Sequence, residues 1–186
     1  DTDQSANTIT FNVTAVNDAP AGTDKTFTVL EGGSHTFASS DFGFSDTSDD
    51  NAFQSVTITT TPGAGSLTLN GNAVSAGDVI TVADIPNLVF SPATDANGDA
   101  YASFTFQVTD DGGTANNGQD TDQSPNIITF NVTPVNDAPA GKPTITGTPS
   151  QGQTLTAITS AITDADGLGS GGFSYQWKAG GTDIAG

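Results

Sequence analysis

From residue 104 the chain reads Phe-Thr-Phe-Gln-Val-Thr, which places Phe104, Phe106 and Val108 on one side of an extended backbone and Thr105, Gln107 and Thr109 on the other. Ile128, Phe130 and Val132 alternate in the same way with Thr129, Asn131 and Thr133. Side chains change face at every residue of a strand, so runs of this kind bury one face and wet the other. The alternating runs extend over 101–109 and 126–134. Further runs of strand-type composition occupy 25–30, 34–37, 53–60, 66–69, 79–82 and 88–90. Turn-forming pairs separate them, namely Pro62-Gly63, Asn70-Gly71, Asn97-Gly98 and Gly112-Gly113. Asn70-Gly71 has the composition of a two-residue hairpin turn. No stretch carries a helical period. The pattern predicts an all-β fold, an antiparallel β-sandwich. Its predicted core is Phe27, Val56, Ile58, Leu67, Leu69, Val89, Phe104, Phe106, Val108, Ile128, Phe130 and Val132.

The chain also repeats itself. Residues 1–22, DTDQSANTITFNVTAVNDAPAG, recur at 120–141 as DTDQSPNIITFNVTPVNDAPAG, with 19 of 22 positions identical at an offset of 119. Solenoid periods are ~20–50 residues. A period of 119 is the size of a whole sandwich domain, for which ~100 residues is typical. The expected organisation is therefore tandem. Residues 1–22 read as the C-terminal strand and linker of a preceding repeat, 23–141 as one complete repeat, and 142–186 as the N-terminal part of a following repeat of different sequence. That last part carries the only tryptophan, Trp177, on an expected strand 173–178. Buried tryptophan is a hallmark of Ig-like sandwiches, so Trp177 is expected in a core.

In a sandwich the loops alternate between two poles. If 25–30 and 126–134 both run from the entry pole to the exit pole, 101–109 runs back. Loops 38–52 and 110–125 then lie at the entry pole, and Glu31-Gly32-Gly33 and 91–100 at the exit pole. The acid follows. The entry pole is expected to collect Asp41, Asp46, Asp49, Asp50, Asp110 and Asp111, with Asn17 and Asp18 from the linker before it. The exit pole is expected to collect Glu31, Asp95, Asn97 and Asp99, with Asn136 and Asp137 from the linker after it. Asp164 and Asp166 then come from the next repeat.

Charge makes these clusters matter. The chain has 3 Lys+Arg against 21 Asp+Glu, a formal net charge of -18, and 1 His. A nucleic-acid partner is excluded, because binding the phosphate backbone needs a basic face. Membrane insertion by a helix is not expected, since no run approaches ~18 apolar residues. With 0 Cys there are no thiolate ligands, and the lone His35 has no partner at catalytic spacing. No catalytic set is found, and the chain is not expected to be an enzyme. Converging carboxylates cannot all stay ionised cheaply without a cation among them. Ca²⁺ takes 6–8 oxygen ligands from Asp, Glu, Asn and main-chain carbonyls, which is the inventory present. The alternative at each acid is solvated loop carboxylate. Asp41 and Asp50 are assigned to that alternative, and Asp46, Asp49, Asp110, Asp137 and Asp166, with Asn17 and Asp18, to a metal.

The linkers Val16-Asn17-Asp18-Ala19-Pro20 and Val135-Asn136-Asp137-Ala138-Pro139 resemble the junction motif of cadherin repeats. With Leu30-Glu31-Gly32, Phe44-Ser45-Asp46, Leu67-Thr68-Leu69-Asn70-Gly71, Phe90-Ser91-Pro92-Ala93 and the stretch 104–112, residues 16–141 are similar to the cadherin-like repeats of giant bacterial adhesins, including those with RTX-type tails. Residues 143–186, with Asp164-Ala165-Asp166-Gly167 and Tyr175-Gln176-Trp177, are similar to an Ig-like repeat of the same proteins. The resemblance implies an Ig-like/cadherin-like sandwich and Ca²⁺ held at the junctions. By type and order Glu31, Asn136, Asp137, Asp164 and Asp166 match the family's junction ligands. The N-D-A-P linker is one ligand short of the family's N-D-N-x-P, and no D-R-E element is present. One or two ions per junction are therefore expected. It further implies secretion to the cell surface, a spacer role in adhesion, and neighbouring repeats as the chief partners. Two other readings stay open: a self-assembling surface-layer or filament protein whose strands pair between copies, and a sandwich that binds carbohydrate or protein through its loops.

Overall fold

The computed structural model describes residues 4–184. The first three residues of the repeated stretch, and the last two of the chain, lie outside the described residues. The chain divides into two compact units, one up to Thr133 and one from Pro134 onward. The fold is all-β. Among the described residues the only helical elements are short 3₁₀ turns at Ser39–Phe42, Ile85–Asn87 and Ala115–Asn117.

Unit one contains β1 (Lys25–Leu30), β2 (His35–Thr36), β3 (Phe53–Thr60), β4 (Ser66–Leu69), β5 (Asn72–Ala73), β6 (Val79–Thr81), β7 (Leu88–Ser91), β8 (Gly98–Asp110) and β9 (Asn126–Thr133). They form two sheets, of order β1-β9-β8-β3-β6 and β2-β7-β4-β5. The apolar faces of both sheets meet in one core. Phe90 of the second sheet stacks on Phe130 of the first, with ring centroids 3.8 Å apart. Phe37 and Phe42 complete an aromatic cluster with Phe104 and Phe106. The hairpin β4–β5 turns through Asn70 and Gly71 at φ 52 and 78. Two consecutive positive φ values define the turn whose twist suits a two-residue hairpin.

Not every sequence expectation holds. Val56, Ile58, Leu67, Phe104, Phe106, Val108, Ile128, Phe130 and Val132 are buried. Val89 is not: Leu88 and Phe90 point inward and Val89 outward. Three apolar residues in succession carry no alternation, so the register of this strand is set by its partner β4, where Leu67 opposes Phe90. Phe27 and Leu69 are half-buried at the margin of the core. The sheets are also not wholly antiparallel. β1 and β9 pair in parallel from Lys25↔Ile128 to Leu30↔Thr133. Both run from entry pole to exit pole, so once adjacent they must be parallel.

Unit two contains β10 (Thr144–Thr146), β11 (Thr156–Ile158), β12 (Lys178–Ala179) and β13 (Thr182–Asp183), in two separate two-stranded ladders, β10-β11 and β12-β13. The strand expected at 173–178 is absent except for Lys178. Residues 173–177 have strand composition but no ladder, and a strand exists only where its backbone groups are paired. Trp177, expected in a core, is 36 % exposed.

Candidate metal centre

The linker 16–22 lies across the end of unit one and is held there through Asn17, Asp18, Ala21 and Gly22. Asn17 Nδ2 donates to Asp110 Oδ1 at 3.0 Å and to the carbonyl of Gln119 at 2.8 Å. The amide of Gln119 donates back to the Asn17 carbonyl at 2.9 Å. Asn51 Nδ2 donates to Asn17 Oδ1. The amide of Asp18 donates to Asp49 Oδ2 at 2.6 Å. Ala21 and Ser45 exchange both main-chain hydrogen bonds, each 2.8 Å. The amide of Gly22 donates to Asp122 Oδ2 at 2.9 Å.

Asp110 is the last residue of β8 and is 1 % exposed. Its Oδ1 accepts from Asn17 and also from the Gly112 amide at 2.8 Å. Its Oδ2 is buried and accepts no hydrogen bond among the described residues. An unsatisfied buried acceptor costs about 1–3 kcal/mol, more when charged. Gly112 leaves room for the Asn17 and Asn51 side chains. A Cβ at this position would lie 2.1 Å from Asn17 Oδ1 and 2.4 Å from Asn51 Nδ2. Asn17, Asp49, Asn51 and Gly112, with Ala15 and Val16, line an open cleft of ≈ 270 Å³.

Asp46 behaves differently from its neighbours. Its Oδ1 accepts the amides of Ser48 and Asp49, and its Oδ2 that of Asn51, all at 3.1 Å. These bonds, that from Asp49 foremost, hold the Asp46 carboxyl below its ordinary pKa. Asp46 thus shapes the loop that presents Asp49 to the linker.

Unit two repeats the arrangement on a different sequence. The amide of Asp137 donates to Asp166 Oδ2 at 2.7 Å, and the amide of Asp166 to Asp164 Oδ1 at 3.0 Å. Ala140 and Thr163 exchange main-chain bonds of 2.8 and 3.0 Å. Ala140 and Asp137 are the 119-offset equivalents of Ala21 and Asp18. Ser45, Asp46 and Asp49 are therefore matched in role by Thr163, Asp164 and Asp166. The same linker is clasped by the same kind of acidic loop twice.

Of the ten residues expected to bind metal, Asn17, Asp18, Asp46, Asp49 and Asp110 come together at the entry pole of unit one. Asp137, Asp164 and Asp166 come together in unit two, where Asn136 Nδ2 donates to the adjoining carbonyl of Asp137 at 2.8 Å. Glu31 lies at the opposite end of unit one, where its Oε2 accepts from Asn97 Nδ2 at 3.0 Å. Within unit one, among the described residues, no three carboxylates bring an oxygen each within 4.8 Å of one another. A Ca²⁺ ion there would have to draw on amide and main-chain oxygens too, which its coordination allows. Asp41, read as solvated acid, instead accepts from the Ala38 amide at 2.9 Å and lies 3.1 Å from His35 Nε2.

The sequence reading missed Asn51 and Asp122. Asp122 is 7 % exposed and accepts from the amides of Gly22 and Ser124 and from Asn126 Nδ2. Its one signal was membership of the repeated 22 residues, which do not distinguish a buried acid from a solvated one.

No protein-family model, curated protein or solved structure matches this chain.

Proposed function

We propose that this chain is a spacer segment of a secreted or cell-surface protein of the bacterial adhesin type, in which Ca²⁺ fastens each linker to the unit that follows it. The observation that carries the reading is the clasp made twice, on Asp18 by Asp49 and on Asp137 by Asp166. Two units of different sequence hold the same linker by the same amide. That is the economy of a part whose job is to set how successive units connect.

The residues at the entry pole fit the ion. The donor set is oxygen only, from Asn17, Asp18, Asp49 and Asp110, and Asp110 Oδ2 is a buried acceptor with no hydrogen-bond partner among the described residues. When bound, Ca²⁺ supplies the positive charge that a chain of net charge -18 lacks. Asn17 and Asp18 bring the linker, Asp110 and Asp49 bring the domain, and Asp46 and Asn51 keep the loop in place.

Calorimetric titration of the chain with CaCl₂ tests the binding. Small-angle scattering of a chain with whole neighbouring repeats, in Ca²⁺ and then in excess chelator, tests the stiffening. The reading expects a binding isotherm that loses its entry-pole component and keeps that of unit two in Asp110→Asn, and a rise in flexibility on chelation. An absent isotherm, or scattering that chelation leaves unchanged, rejects it.

A further inference from the structure

The edge strands of the two sheets in unit one are β1, β6, β2 and β5. A sheet edge offers unpaired main-chain groups to any other chain, and short length, charge, proline and bulges are the usual means of closing it. β2 and β5 are two residues long, and the three residues of β6 lie between Asp78 and Asp84. β1 has none of these devices along its open side. It is six residues long, has no proline, and keeps an unbroken register with β9. Among the described residues, the main chain of 26–29 hydrogen bonds to β9 alone. Lys25, the one charged residue of the strand, turns back into its own unit, where its Nζ donates to the Ser40 carbonyl at 2.6 Å. Thr26 and Thr28 are exposed, and Leu30 is 57 % exposed. β1 and β9 both belong to unit one, so this edge is the unit's own.

We infer that β1 is a self-association edge whose partner is β1 of a second copy of this chain, the two strands pairing antiparallel about a two-fold axis at Thr28. The strand is self-complementary in that arrangement. Lys25 precedes Thr28 by the same number of residues as Glu31 follows it, so each lysine stands opposite the glutamate of the other copy. Registers shifted by two residues set Lys25 opposite Val29 or Gly33 instead. A slip of one residue turns the core-facing side chains outward. On the outer face Thr28 meets its own counterpart, and Thr26 meets Leu30 and covers part of its exposed side chain. A contact of this kind is isologous and closes at two copies. It joins two five-stranded sheets edge to edge. Association works against the net charge of -18 on each chain. It therefore belongs to physiological salt, where exposed charges are screened over about 8 Å. The inference is independent of the calcium reading.

The two-fold axis supplies the test. The chain has no cysteine, so T28C carries one reporter thiol. Directly opposed residues of an antiparallel pair have Cα atoms about 4.5–5.5 Å apart, within the reach of a disulfide. The full chain of T28C is concentrated in physiological salt and oxidised. Expected is a disulfide-linked homodimer about tenfold above that from T26C, whose two thiols would lie about 14 Å apart along the paired strands. T26C mixed with L30C is expected to form the heterodimer, because those positions stand opposite one another. Sedimentation of the cysteine-free chain is expected to show a dimer weakened about tenfold by Thr28→Lys, which sets two like charges face to face. Thr28 is exposed, so the fold survives that change, as circular dichroism verifies. A T28C homodimer no more abundant than that of T26C overturns the inference. So does a T26C/L30C heterodimer no more abundant than the T26C homodimer, or a dimer indifferent to Thr28→Lys.

Discussion

Asp166 Oδ2 accepts the backbone amide of Asp137 at 2.7 Å. The equivalent bond in unit one, from Asp18 to Asp49 Oδ2, is 2.6 Å. A carboxylate accepting an amide makes a charge-assisted bond, stronger than a neutral one. Solvent screening at this exposed position reduces it to about 1 kcal/mol. Asp49→Ala is expected to speed hydrogen exchange of the Asp18 amide about fivefold, with Asp49→Asn intermediate because it keeps one oxygen. Exchange unchanged in Asp49→Ala would show that the linker is held by its other bonds alone.

Asp110→Asn separates two effects of one carboxylate. Without Ca²⁺ the variant is expected to be at least as stable as the parent, because it removes a buried charge with an unsatisfied oxygen. With Ca²⁺ at about 100 times its Kd, unit one of the parent is expected to gain about 2.7 kcal/mol per ion and unit one of the variant almost nothing. Urea unfolding of both proteins, with and without Ca²⁺, measures the four values. Equal calcium gains in the two proteins would remove Asp110 from the site.

The register of β7 predicts a contrast between neighbours. Leu88→Ala empties a fully buried position and is expected to cost about 2–5 kcal/mol. Val89→Ala trims an outward side chain and is expected to cost less than about 1 kcal/mol. Chemical denaturation of the two variants decides it, and the reverse order would restore the register expected from sequence.

Acid is expected to loosen the loop that begins at Asp46. Its folded pKa is lowered by the amides it accepts, that of Asp49 first. A lowered folded pKa means stability that is fully present above the unfolded value and is lost as pH falls through the folded one. The loss therefore belongs to the range below the usual carboxylate pKa, and neutral solution lies on the protected side. Carbon-detected NMR of the Asp46 carboxyl should show a midpoint below that of a model peptide. In Asp46→Ala the amides of Ser48, Asp49 and Asn51 should lose their acid-dependent change. A midpoint at or above the peptide value refutes the assignment.

What the sequence disclosed and what it hid follow from the kind of signal each residue gives. Phe104, Phe106 and Val108 alternate with polar residues, and so do Ile128, Phe130 and Val132, so their burial was legible. Leu88-Val89-Phe90 has no polar member to mark a face, and partner pairing decided it. Phe37 and Phe42 lie in or beside a 3₁₀ turn, where neither strand nor helix period applies, yet both are core. The gathering of Asn17, Asp49 and Asp110 could be read from pole counting, because loops at one end of alternating strands must meet. The use each acid makes of its oxygens could not. Asp41, Asp46 and Asp122 spend theirs on His35, on their own loop and on Gly22 respectively, and composition gives all aspartates the same appearance.

The parallel pairing of β1 with β9 has a consequence for a protein pulled at its ends. The chain enters this unit at the start of β1 and leaves at the end of β9, and the two strands lie side by side in register over six residue pairs. Tension along the chain draws β1 toward one pole and β9 toward the other. The hydrogen bonds between them run across that direction and are loaded together, in shear, instead of being peeled one at a time from an open end. Under such a load the ladder is expected to hold until its six pairs give way together.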